Sequence, residues 1–170
     1  MFMALAVLFP MLFHAFGAGS ILLPMFWPVL AAAFFVNFPF AIAVGVLSPI
    51  VSTLLTGMPP ISPPILHILV IELVALAMVT NGLYRKTSLG ILWPALIGLL
   101  ISRIVLFFIV TLFAPLLGLP PQLFSLAMVF KGVPGVVAML IIISIIVSRI
   151  KNEPIFSVRK FYVKRTQDLF

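Results

Sequence analysis

The sequence predicts an all-α integral membrane protein: a bundle of six transmembrane helices with both termini cytoplasmic. Three observations carry this expectation. Of 170 residues, 64% are apolar and only 8% charged, with a mean hydropathy of +1.39. That leaves too little polar surface for a soluble domain. Turn signals and charges cut the chain into six apolar stretches, none with the alternation of a lipid-facing barrel strand. The basic residues gather at Arg85-Lys86 and in residues 149–170, which hold six Lys/Arg and two acids. Such an excess beside an apolar segment marks the cytoplasmic flank.

Taken in order, the first stretch runs from Met1 to Phe16 and ends at Gly17-Ala18-Gly19-Ser20. The second, Ile21 to Val36, is broken from the third by Asn37-Phe38-Pro39. The third, Phe40 to Leu55, ends at TGMPPISPP, residues 56–64. The fourth, Ile65 to Tyr84, is closed by Arg85-Lys86; the fifth, Leu89 to Leu117, by GLPPQ, residues 118–122. The sixth, Leu123 to Val147, is closed by Arg149 and Lys151. A spanning helix needs about 20 residues to cross a hydrocarbon core of about 30 Å, and the last three stretches meet this easily. The second and third are shorter and contain Pro24, Pro28 and Pro49. They are expected to be kinked or partly buried in protein, which tolerates broken backbone.

With both basic clusters inside, the loops at 17–20, 56–64 and 118–122 become external. All three are uncharged and two are Pro-rich, so they read as a stiff lid. Residues 1–150 form the membrane domain. Residues 151–170 form a basic cytoplasmic tail suited to anionic lipid. The start, MFMALAVLFP, lacks a basic leader region and a cleavage region. It begins inside an apolar run, which predicts either a short first helix or a true start codon further upstream.

Three charged residues sit inside the apolar stretches: Glu72, Arg103 and Lys131. Charge at membrane depth costs about 2.5–3.5 kcal/mol per residue on insertion scales, so it faces a cavity or a partner. Helix rise places Glu72 about 12 Å and Lys131 about 13 Å below the outer end of their segments. Arg103 falls about 8 Å below the outer surface. The three share one layer in the outer half, with His67 and His14 slightly nearer the same face. Met58 and Gln122, in the loops above, complete the candidate site. Three readings stay open: an ion pair of Glu72 with Arg103 or Lys131 that pins helix packing, a polar site that receives a solute from outside, and a Lys131 that snorkels outward. Two cations against one carboxylate leave a surplus positive charge, which favours a carboxylate- or phosphate-bearing compound. The histidines read as hydrogen-bonded rim residues rather than metal ligands. KGVPG, residues 131–135, loosens the sixth helix beside this layer.

Other chemistries lack their motifs. There is no G-x-x-x-x-G-K-[ST] loop, no H-E-x-x-H and no G-x-S-x-G elbow, so the chain is not expected to be an enzyme. Cysteine is absent, which removes disulfides and thiolate metal sites. No cofactor is expected. Nucleic acid is an unattractive partner for the high pI, because no soluble domain remains to present the charge. Six spans without a visible inverted repeat disfavour a self-sufficient secondary transporter.

The run LPMFWPVLAAAFF from Leu23, then AIAVGVLSPIVSTLLTGMPP, then IELVALAMVTNGLYRK, resembles the substrate-binding S component of an energy-coupling factor (ECF) vitamin transporter. ISRIV around Arg103 and GVPGVV at residues 132–137 fit the same pattern. The resemblance covers residues 4–150, and SPIVSTLLTGMPP is its most specific part. It implies a six-helix, multi-pass protein of a prokaryotic cell membrane. Such a protein captures a vitamin or precursor from outside and works with a membrane coupling subunit and two cytoplasmic ATPases. The implied substrate site lies in the outer half, made by helices four to six and capped by the first, third and fifth loops. One departure concerns an alanine-x-x-x-alanine patch on the first helix, where small residues allow close approach to the coupling subunit. Ala4 would be its second alanine if the start is truncated. The competing expectation is a non-transport membrane scaffold that uses the charge layer as a packing device.

Overall fold

The structure, a computed structural model, describes residues 1–17, 19–62, 64–116, 118 and 126–156, with backbone alone at positions 20, 114, 126, 128 and 129. Every regular element among the described residues is helical, with no strand. In chain order the elements are α1 (Phe2–Ala15), α2 (Gly19–Leu22), α3 (Phe26–Phe35), α4 (Phe38–Thr56), α5 (Ile65–Lys86) and α6 (Leu92–Phe108). A π-helical turn (Ile109–Phe113) follows, then α7 (Ala114–Leu116), α8 (Leu126–Lys131) and α9 (Val133–Lys151).

Four helical stretches are long and apolar enough to cross a membrane: Phe38–Thr56, Ile65–Lys86, Leu92–Phe113 and Val133–Lys151. This is a membrane protein. The third stretch exceeds its sequence expectation, because Pro49 lies within α4 without ending it. The second falls short of its own. It breaks at Leu23–Met25, so α3 keeps only 10 residues, about 15 Å of helix. The sixth is also two helices rather than one, divided at Gly132 immediately after Lys131.

The short α3 is central. Seven of its residues are buried, including Phe26, Val29, Leu30 and Phe34, and it packs on α1, α4, α5 and α9. A helix that is apolar all round belongs inside the bundle, not on its surface. Asn81 of α5 fixes its far end: Nδ2 donates to the carbonyls of Ala33 (2.7 Å) and Val36 (2.9 Å). Those carbonyls lie at a helix end, where intrahelical donors run out. Arg85 donates to the Val36 carbonyl and to Asn37 Oδ1, both at 2.9 Å, and so secures the α3–α4 junction.

Small residues set the close crossings. A Cβ at Gly45 would stand 3.0 Å from the Leu73 carbonyl oxygen, and one at Gly98 would collide with the Thr80 hydroxyl. These two glycines let α4 and α6 flank α5.

Arg85-Lys86 and the described part of the second cluster, Arg149 and Lys151, lie at one end of the bundle. Tyr84 donates to Glu153 Oε2 at 2.8 Å, and the Lys151 ammonium approaches the Tyr84 hydroxyl (3.1 Å) and the Phe35 ring (5.5 Å). Phe2 stacks on Phe35 at 6.0 Å between centroids, which brings the start of α1 to the same end. The first residues of the expected tail also pack there. The amides of Ile91 and Leu92 donate to the carbonyls of Pro154 and Ile155. Residues 157–170 lie outside the described residues.

Candidate functional site

At the opposite end, α5 and α6 carry Glu72 and Arg103 toward each other. Arg103 Nη2 lies 2.6 Å from Glu72 Oε1, and the two side chains are 11% and 4% exposed. The approach is off the line of a hydrogen bond. Glu72 Oε1 and Arg103 Nε and Nη2 are all buried without a hydrogen-bond partner among the described residues. The contact is charge against charge, with directional capacity unspent on both sides. Buried polar atoms in this state are costly, by about 1–3 kcal/mol each and more for charged groups. The guanidinium also lies 4.7 Å from the centroid of the Phe26 ring, an attractive arrangement for a cation over an aromatic face.

The pair lines a chamber of about 140 Å³ together with Leu23, Phe26, Leu69, Leu106 and Lys131. The three charges of the predicted layer are therefore on one cavity wall. Lys131 is exposed at the end of α8 and forms no ion pair with a described residue. Gly132, the next residue, explains how α9 comes so near. A Cβ there would stand 2.9 Å from Leu23 Cδ1 and 3.2 Å from Arg103 Nη1.

A second chamber of about 250 Å³ lies against the first and shares its Leu23, Phe26 and Leu69. Its other walls include Pro10, His14, Pro24, Met25, Met58, Pro59, Pro60 and Ile65. The residues between α4 and α5 that line it are clipped in place by hydroxyls. Ser52 Oγ donates to the Met58 carbonyl at 2.8 Å, and Thr53 Oγ1 to the Pro59 carbonyl at 2.7 Å. Thr56 Oγ1 accepts from the Met58 amide at 3.2 Å. Gly57 turns the chain with φ +73°, a left-handed conformation that suits a residue without Cβ. The stretch SPIVSTLLTGMPP thus has a physical reading: its hydroxyls tie its own loop down over a chamber.

Leu23 stands on the boundary between the two chambers at φ +51°. Leucine disfavours this region, and such residues persist only where the surroundings hold them. Here Gly132 and the α2–α3 break hold it. Gly135 contributes as well: a Cβ there would come 2.5 Å from the Ile21 carbonyl oxygen.

The other predicted residues divide. Met58 and His14 line the larger chamber, Met58 largely exposed and the His14 ring packed on Gly19. His67 is exposed on α5 and lines neither chamber. Neither histidine makes the side-chain hydrogen bond expected of it with a described residue. Gln122 lies outside the described residues. Sequence reasoning missed Leu23, Leu69 and Leu106, since nothing distinguishes them from other leucines in an apolar chain. The positive φ at Leu23 had no sequence signal.

No protein-family model, no curated protein and no solved structure matches this chain. The likeness to ECF S components therefore rests on the sequence stretches that carry it.

Proposed function

We propose that this chain is the solute-binding subunit of a membrane uptake system, an S component that captures a vitamin or related micronutrient from outside a prokaryotic cell. It would pass the solute to an ECF complex whose coupling subunit and two ATPases supply the energy. The observation that carries the reading is the Glu72–Arg103 pair. The two side chains line a chamber that adjoins a second one beneath a clipped loop. A pair serving packing alone gains by saturating its own donors and acceptors. This pair has atoms without a protein partner and lines a cavity large enough for part of a small molecule. In this reading six segments cross the membrane, with both termini on the cytoplasmic side.

The test is ligand-linked stability. A binder present at about 100 times its Kd adds about 2.7 kcal/mol to the folded state. The full chain purified in detergent is expected to unfold at a higher temperature with one member of a panel of vitamins and precursors. Failure of every member to raise the unfolding temperature would refute the capture reading.

The second reading, a membrane scaffold held by a structural ion pair, is favoured by the short distance between Arg103 and Glu72 across the α5–α6 contact. It predicts that a Glu72→Gln/Arg103→Gln double variant keeps every function of the chain.

A further inference from the structure

We propose that the captured solute is an amphipathic monoanion: a single carboxylate seated at Arg103 and Lys131, joined to a compact apolar body that fills the larger chamber. This rests on reading the two chambers as a solute site.

The charge count comes from the smaller chamber. Its wall carries two cations, Arg103 and Lys131, and one carboxylate, Glu72. Glu72 and Arg103 face each other at 2.6 Å, which leaves the exposed Lys131 ammonium on the chamber wall able to receive an anion. The hydrogen-bond count points the same way. A guanidinium has five N–H donors and an ammonium three, while an ionised carboxylate only accepts. Arg103 Nε and Nη2, both shielded from solvent, make no hydrogen bond with a described residue. A solute suited to these two cations brings acceptors in excess of donors, and one negative charge. A carboxylate does both, and its planar pair of oxygens matches the guanidinium fork. A phosphate monoester carries about −1.5 to −2 at neutral pH, more than the surplus here.

The remainder of the solute is set by the larger chamber. Apart from His14 at its rim, that chamber is walled by carbon-rich side chains such as Pro24, Met25, Met58, Pro59 and Ile65. A sugar or other polyol would lose its hydration there without gaining partners. Leu23, Phe26 and Leu69 belong to both chambers. The two chambers are therefore adjacent, and the proposed solute places its charged head in one and its apolar body in the other.

The experiment uses the full chain in detergent and reads thermal unfolding against ligand concentration. The probes are phenylpropionate and indolebutyrate, their primary amides, phenylpropyl phosphate, and palmitate as a bilayer-derived monoanion. The ring-bearing carboxylates should stabilise the protein, with apparent affinities about tenfold or more above those of the amides. Lys131→Gln, at an exposed position that leaves folding intact, should erase most of that preference. Equal stabilisation by amides and acids would overturn the monoanion while leaving solute capture standing. Stabilisation by the phosphate alone would overturn the carboxylate. Stabilisation by palmitate alone would overturn the compact body and place the source in the bilayer. If neither these probes nor any vitamin stabilises the chain, both this inference and the capture reading fail.

Discussion

Arg103 has two jobs that mutation can separate. Removing it strands the Glu72 carboxylate in a buried setting, and breaking a buried pair from one side costs about 3–5 kcal/mol. Arg103→Ala should therefore lower the unfolding temperature and abolish solute binding together. Neutralising both partners as Glu72→Gln/Arg103→Gln should restore much of the stability, because no charge is left unpaired, yet not restore binding. Recovery of both in the double variant would show that the pair serves packing alone. Gly132 gives a finer test. Gly132→Ala would push its Cβ to 2.9 Å from Leu23 and 3.2 Å from Arg103. Solute affinity should fall about tenfold with little change in unfolding temperature, since both neighbours are side-chain ends that can shift. An unaltered affinity would remove Gly132 from the site. At this scale the sequence was informative where charge interrupts apolar runs, at Glu72, Arg103 and Lys131. It was silent on Leu23 and Leu69, whose importance comes from position and not from type.

The elements show where local reading succeeds. Runs bounded by Gly, Pro and charge predicted α1, α4 and α5 to within a few residues, because chain reversals need those residues. Pro24 announced a kink in the second stretch, where α2 and α3 part at Leu23–Met25, and KGVPG announced the break at Gly132. A leucine with φ +51° is imposed by tertiary packing and has no local cause to read. The burial of α3 was foreseen from its shortness, and its dependence on α5 can be measured. Asn81→Leu would leave the carbonyls of Ala33 and Val36 without their donors. Each unsatisfied buried group costs about 1–3 kcal/mol, so a drop in unfolding temperature of several degrees is expected. No drop would mean that α3 is held by its apolar contacts alone. The loop between α4 and α5 makes a complementary case. Thr53→Val keeps the shape but loses the bond to Pro59, at 2.7 Å. Solute dissociation should quicken while global unfolding hardly changes, as measured by ligand chase.

For the whole molecule, the arrangement separates two ends. One gathers Arg85, Lys151, Glu153 and the start of α1; the other holds the charged chamber and the clipped loop. The charge bias in the sequence groups Arg85-Lys86 with Arg149 and Lys151 at one end, which the proposed orientation puts in the cytoplasm. Sidedness is open to direct labelling because the chain contains no cysteine. Lys86→Cys should react with a membrane-impermeant maleimide only after the cells are permeabilised. The most direct measurement places the reporter at the other end, at exposed Met58 on the wall of the larger chamber. Met58→Cys in intact cells should label rapidly from outside, and labelling should slow in the presence of one micronutrient or carboxylate probe. If Met58→Cys labels only after permeabilisation, or labels from outside at a rate that no solute alters, an outward-facing capture site is contradicted.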